Sequence, residues 1–231
     1  EVSAWAAGTS AAPRPLQKAG EPRVVSLAFG RDGVLVGASD PGGLVAWDVG
    51  NPGASPRKAL EGRRLRSVAT GPDGSVAAGT AEGTILLLPR FFDGTPKELS
   101  GHGSAVTGLL FGAGGAKLAS SSLDGTVRLW DARQASREPV VLSGHSGWVW
   151  GVAFSADGEA LLSGGADRTI RIWPTRPRPM LDAICARVPR DLTPEEWAAW
   201  LPADIPWQPT CSPARRAASR KAAGPDGGGR S

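Results

Sequence analysis

The chain has 231 residues, with 32 Gly and 20 Pro, no Tyr, two His and two Cys, and a formal net charge of +4. That Gly and Pro density argues against long helices, no apolar run nears the length of a membrane-spanning helix, and two His and two Cys without metal-ligand spacing exclude a recognisable zinc site. The charge is local: residues 213–231 hold Arg215, Arg216, Arg220, Lys221 and Arg230 against Asp226 alone, so the rest of the chain is neutral and no basic nucleic-acid-binding face is expected of the folded body.

From the N-terminus, Val2-Ser-Ala-Trp5 is the first of five short strand-like runs. The others are Leu44-Val-Ala-Trp47, Ile85-Leu-Leu-Leu88, Val127-Arg-Leu-Trp130 and Ile170-Arg-Ile-Trp173, and their last residues step by 42, 41, 42 and 43. The turns Gly30-Arg-Asp-Gly33, Gly71-Pro-Asp-Gly74, Gly112-Ala-Gly-Gly115 and Ser155-Ala-Asp-Gly158 step by 41, 41 and 43. Two markers with one period predict a repeated structural unit. Because the chain opens at Glu1 with a run that matches a repeat interior, it is expected to be part of a longer protein with blades upstream.

Each unit carries three short β-type runs; in the last they are Trp148–Phe154, Ala160–Gly164 and Thr169–Trp173. A fourth segment, Lys97-Glu-Leu99, precedes the third unit, and Val140-Val-Leu142 precedes the last. Runs of this length between turn residues predict antiparallel four-stranded sheets. In Gly112-Ala-Gly-Gly-Ala-Lys117 the phosphate-loop ending is missing, and two of its glycines are expected to serve a turn at positive φ.

Gly101-His102 and Gly144-His145 are followed by Leu-Ala-Ser120 and Leu-Leu-Ser163, then by Asp124-Gly-Thr-Val-Arg-Leu-Trp130-Asp131 and Asp167-Arg-Thr-Ile-Arg-Ile-Trp173. This pattern resembles the tryptophan–aspartate (WD) repeat, over roughly residues 1–175. The resemblance implies an all-β fold of propeller blades, about four with part of another. Unit two departs from it, with Glu82 and Leu88 where Asp and Trp are expected and no His. The spacings His to Ser 18, Ser to Asp 4 and Asp to Trp 6 are the same in both matching units. Carried over from the family, they imply structural hydrogen-bonded tetrads, His102–Ser120–Asp124–Trp130 and His145–Ser163–Asp167–Trp173. Ser, His and Asp also make hydrolase triads, but a catalytic set needs one copy, and here a duplicated set brings a Trp each time.

Trp148 and Trp150 stand at the start of an inner run, where unit three has Ala105 and Thr107, so the repeat does not demand them. Aromatic side chains in such a place are candidate anchors for a partner, packing against the neighbouring blade being the alternative.

After Trp173 the period stops. Pro174, Pro177 and Pro179 are expected to end the strands, and Met180–Val188 reads as a short helix with apolar residues at 181, 184, 185 and 188. A second helix start has Thr193 as N-cap, Pro194 in the first turn and Glu196 three after the cap, with Trp197, Trp200 and Leu201 on one face. Residues 176–212 are thus expected to form a helical cap and 213–231 a disordered basic tail. Cys185 and Cys211 flank a small segment; the sequence leaves their pairing open, and buried thiols in a reducing cytoplasm are the favoured expectation. The string from Cys185 to Cys211 resembles the tail after the last blade in bacterial WD-repeat proteins that carry an upstream signalling NTPase, protease-like or kinase domain. The function implied is a cytoplasmic, non-catalytic scaffold or sensor, without cofactor or metal, that binds a protein or peptide and contacts the blades upstream. Channel catalysis is disfavoured because the inner runs carry a single charge, Arg66. Nucleic-acid binding through the basic tail is the remaining alternative, and no membrane partner is expected.

Overall fold

The protein is described from a computed structural model, which covers residues 2–4, 12, 14–17, 20–30, 33–51, 53–89, 92, 94–134, 138–175, 185, 190–191, 193–196 and 211. Two compact units divide at Ile172 and Trp173. The first contains a series of antiparallel sheets, each a blade. The first blade is β3 (Val24–Phe29), β4 (Val34–Ser39), β5 (Gly43–Asp48) and β6 (Arg57–Ala59). The second is β7 (Leu65–Thr70), β8 (Val76–Thr80), β9 (Ile85–Leu88) and β10 (Lys97–Leu99). The third is β11 (Val106–Phe111), β12 (Lys117–Ser122), β13 (Thr126–Asp131) and β14 (Val140–Ser143). The last has three strands, β15 (Val149–Phe154), β16 (Ala160–Gly165) and β17 (Ile170–Pro174). Ahead of them β1 (Ser3–Ala4) and β2 (Arg14–Pro15) pair as a two-stranded ribbon.

Blade and sequence repeat are out of step by one strand. Lys97–Leu99 precedes the third set of runs, yet it pairs with Ile85–Leu87 and completes the second blade. Val140–Ser143 likewise pairs with β13. Each unit in the sequence therefore begins with the outer strand of the blade before it, which ties consecutive blades covalently at their outer edges.

All four innermost strands shift register at the same place, between Val24 and Ser26, Leu65 and Ser67, Val106 and Gly108, and Val149 and Gly151. A bulge at a fixed position re-aims the residues beside it in every blade alike. Beyond it small residues face each other: Ser26 opposite Ala38, Ser67 opposite Gly79, Gly108 opposite Ser121, Gly151 opposite Gly164. Against these pairs the next blade lies close. A Cβ on Gly79 would stand 2.7 Å from Val106 Cβ, and one on Gly108 would stand 3.3 Å from Gly151 Cα.

The core sits between blades. Ala38, Leu44 and Ala46 of the first pack with Leu65, Val68, Ala78 and Leu86 of the second. Ile85 and Leu87 of the second pack with Val106, Leu109, Phe111 and Trp130 of the third. Hydroxyls stitch the same interfaces: Ser67 Oγ donates to Val106 O at 2.9 Å, Thr107 Oγ1 to Val149 O at 2.5 Å and Thr70 Oγ1 to Phe29 O at 2.6 Å. Both faces of a central blade are consequently buried, and all five residues of β8 are enclosed.

The last strand ends at Pro174, where the prolines are expected to end it. Other expectations are corrected. Of the glycines in the 112–115 turn only Gly115 has positive φ, 69°, matching Gly33, Gly74 and Gly158 in the other blades. In the second unit, Cys185 and Cys211 are not thiols but a disulfide, with Cα atoms 5.2 Å apart and both residues buried. Asp191 Oδ1 accepts the Cys211 N–H at 2.8 Å. Helical backbone is found at Cys185 and over 194–196. There Glu196 N–H donates to Thr193 Oγ1 at 3.2 Å while Thr193 N–H donates to Glu196 Oε2 at 2.9 Å, a reciprocal cap that Arg190 reinforces with two bonds to the Glu196 carboxylate. Trp5, Trp197, Trp200, Leu201 and residues 213–231 lie outside the described residues.

Because the 79–106 contact leaves no space, Gly79→Ala is expected to destabilise the protein by about 1–3 kcal/mol, the range for overpacking a filled core. Gly114, whose Cβ would meet nothing within 4 Å, is the control, and Gly114→Ala should leave the urea midpoint unchanged.

Candidate functional site

The turn between β12 and β13 brings Asp124 back under the segment that carries His102, and the tryptophan of β13 lies across β12 from it. Trp130 Nε1–H donates to Ser120 Oγ at 2.8 Å. Ser120 O–H is 2.7 Å from His102 Nε2, and His102 Nδ1 is 2.8 Å from Asp124 Oδ2. One arrangement of protons satisfies all three contacts: indole to hydroxyl, hydroxyl to Nε2, Nδ1–H to carboxylate. In that arrangement the imidazole is neutral, with its proton on Nδ1. Ser120 is completely buried and the His102 side chain is closed to solvent.

Asp124 accepts more than the histidine. Gly103 N–H reaches Oδ2 at 3.0 Å, and Thr126 reaches Oδ1 with its N–H at 2.8 Å and its hydroxyl at 2.7 Å. Burial alone would raise the carboxyl pKa; these donors outweigh it and bring it down to about 2. His102 is shifted down as well, chiefly because burial disfavours the imidazolium, an effect only partly offset by Asp124.

The same set recurs one blade on. His145 Nε2 is 2.8 Å from Ser163 Oγ, and Nδ1 is 3.0 and 2.9 Å from the two Asp167 oxygens. Ser146 N–H and both donors of Thr169 complete the carboxylate, which lies well below the usual range. Burial opposes that shift, and the bonds from Thr169 and His145 lead the groups that produce it. The cluster comprises His145, Ser163, Asp167 and Thr169. Arg168 takes φ 63° where Gly125 and Gly83 stand in the other blades, a left-handed conformation that costs a non-glycine residue about 1 kcal/mol or more.

Thr126 and Thr169 are the residues the sequence reading passed over. Their signal was present, since each stands two after its aspartate in both units. The first blade shows the opposite case, a tryptophan without its network. Gly37 stands where Ser120 stands in the third blade, and a Cβ there would come within 2.9 Å of the Trp47 ring. The indole fills the serine's space, and its Nε1 has no partner among the described residues.

Trp148 and Trp150 lie at the inner end of the last blade, their rings edge to face with centroids 5.5 Å apart. Both are about half exposed, whereas Val149 between them is buried. The lone inner-strand charge, Arg66, is 3.3 Å from Asp40, which also holds Arg64 at 3.2 Å.

Ser120→Ala removes the partner of Trp130 Nε1 and of His102 Nε2 at a site without water access, and should cost about 1–3 kcal/mol for each orphaned group in chemical denaturation. Acid should weaken the same network in two stages. With its pKa depressed, folded His102 binds fewer protons than unfolded His102, so stability is present above pH ~6.5 and falls as the pH drops below it. Asp124 adds a second loss as the pH falls from ~4 toward its folded value of about 2. Melting temperatures measured from pH 7.5 downward should show both, and His102→Gln should flatten the upper stage.

Residues 95–131 and 137–174 match the family model described as WD domain, G-beta repeat. No curated protein matches the chain. Among solved structures, the crystal structure of the computationally designed Ika4 protein is similar in fold, with a TM-score of 0.57 and 23% identity, covering 68% of this chain and 94% of that one. The chain therefore carries WD repeats, at 95–131 and 137–174, within an all-β fold of propeller blades.

Proposed function

We propose that this chain is a non-catalytic interaction module that holds a protein or peptide partner through Trp148 and Trp150, and that it regulates an effector domain of the same protein. The observation that carries this reading is the pair of indoles, edge to face and half exposed, at the start of an inner strand. Their counterparts in the third blade are spent on packing: Ala105 is buried, and Thr107 donates to Val149 O. Large rigid aromatics that do not serve the blade's own interior favour a binding anchor. The non-catalytic reading is supported by the fate of the histidines. Both imidazole side chains are shielded from solvent and engaged at both nitrogens by neighbours in their own blade, which leaves no nitrogen to meet a substrate. The regulatory role and the cytoplasmic location rest on the resemblance of the Cys185–Cys211 segment to the tails of multidomain WD-repeat proteins.

A peptide selected on the immobilised protein from a display library should bind it in calorimetric titration. The same peptide should lose about thirtyfold or more in affinity to the Trp148→Ala, Trp150→Ala double variant, the loss typical of a two-residue hot spot. Unchanged affinity, with unchanged circular dichroism, would show the indoles to be bystanders.

A further inference from the structure

A cleft of about 390 Å³ lies between the second and third blades, at the end where the first two strands of each blade turn back, opposite the end that carries Trp148 and Trp150. Small-molecule sites occupy ~300–1,000 Å³, so the cleft is large enough for one. Each of these two blades has a described blade on either side, and the cleft is internal to the array. Its floor is apolar: Leu87 and Leu88 are buried, Pro89 follows them, and Ala132 of the third blade packs on the same cluster as Leu87.

At Pro89 the cleft departs from the repeat. Leu88 pairs with Val76 as Trp47 pairs with Leu35 and Trp130 with Leu118, so Pro89 stands in the place of Asp48 and Asp131. Those aspartates turn back on their own loops: Asp48 Oδ1 accepts the Asn51 N–H at 3.0 Å, and Asp131 Oδ1 accepts those of Arg133 and Gln134 at 3.0 and 3.2 Å. Proline offers no side-chain acceptor, and the negative charge of the other blades is missing here. Two exposed cations stand on the wall, Lys97 from β10 and Arg133 from the loop after β13. Neither forms an ion pair among the described residues. The acid on the wall, Asp73, is committed to its own turn, where Oδ1 accepts the Ser75 hydroxyl at 2.6 Å and the Ser75 N–H at 3.1 Å. That hydroxyl bond leads the causes that hold its carboxyl below the usual range, with the charge of Arg133 a smaller contribution. The wall thus carries one positive charge in excess, above an apolar floor.

We propose that this cleft binds a small monocarboxylate with a compact apolar body, such as a medium-chain fatty acid or an arylalkanoate. The body lies on Leu87, Pro89 and Ala132, and the carboxylate meets Lys97 and Arg133 through charge-assisted hydrogen bonds. A single excess positive charge matches a monoanion and not a phosphate dianion, and an amine in the same place would set like charges together. The Trp148 and Trp150 side chains take no part, so this site and the capture of a protein partner stand or fall separately.

Saturation-transfer NMR and calorimetric titration of the whole 231-residue chain with hexanoate and with phenylpropionate test this. At least one should bind with a Kd of about 1 mM, the scale for ligands of so few atoms. Acetate, which lacks the body, and hexylamine, which reverses the charge, should bind about tenfold more weakly or worse. Pro89→Asp, which restores the residue of the other blades, should weaken carboxylate binding about tenfold or more through like-charge repulsion, with unchanged circular dichroism. Lys97→Gln with Arg133→Gln should do the same while keeping the apolar floor. Equal binding of hexanoate and hexylamine, or carboxylate binding undiminished in either variant, overturns the proposal. So does the failure of both carboxylates to bind below about 10 mM.

Discussion

A four-stranded blade is apolar on both faces and too thin to enclose a core, so it is stable only between neighbours. That constraint governs nearly everything in the first unit. It explains why the buried residues gather between blades, why small residues recur opposite the bulge of each inner strand, and why the hydroxyls of Ser67, Thr70 and Thr107 bond across interfaces. It also explains why the large exposed apolar side chains of β3 and β17 belong to the first and last blades.

The polar networks answer a different requirement. Packing holds faces together but does not fix the outer loop that leads from one blade into the next. In the third and fourth blades that loop carries a histidine, which the aspartate of one turn and the serine of a central strand hold from opposite sides. Buried donors and acceptors that are all matched cost little, and they specify one arrangement of the chain. The second blade does without: Ala78 and Leu88, both buried, stand where Ser120 and Trp130 stand in the third. The first blade keeps the indole and gives up its hydroxyl partner at Gly37. The family pattern is therefore one of two ways of closing a blade, and this chain uses both.

Much of this was legible in the sequence because the information is periodic. A residue class that returns every forty-odd positions reports its own role, so strand runs, turns and the His–Ser–Asp spacings could be read without a partner sequence. Thr126 and Thr169 obey the same rule, each two residues after its aspartate. What lacks a second copy was not legible. Cys185 and Cys211 occur once, outside the period, and their separation along the chain holds no information on whether they meet. The outer strand Arg57–Ala59, which pairs with β5, was not read from the sequence.

The central claim is that blades hold one another, so protection must be greatest where both faces are covered. Amide hydrogen exchange followed strand by strand tests it directly. The account predicts the slowest exchange in β8 and β12 of the two central blades, and faster exchange in the equivalent strands β4 and β16 of the blades at either end. Uniform protection across all four blades, or terminal blades that outlast the central ones in dilute solution, would contradict it.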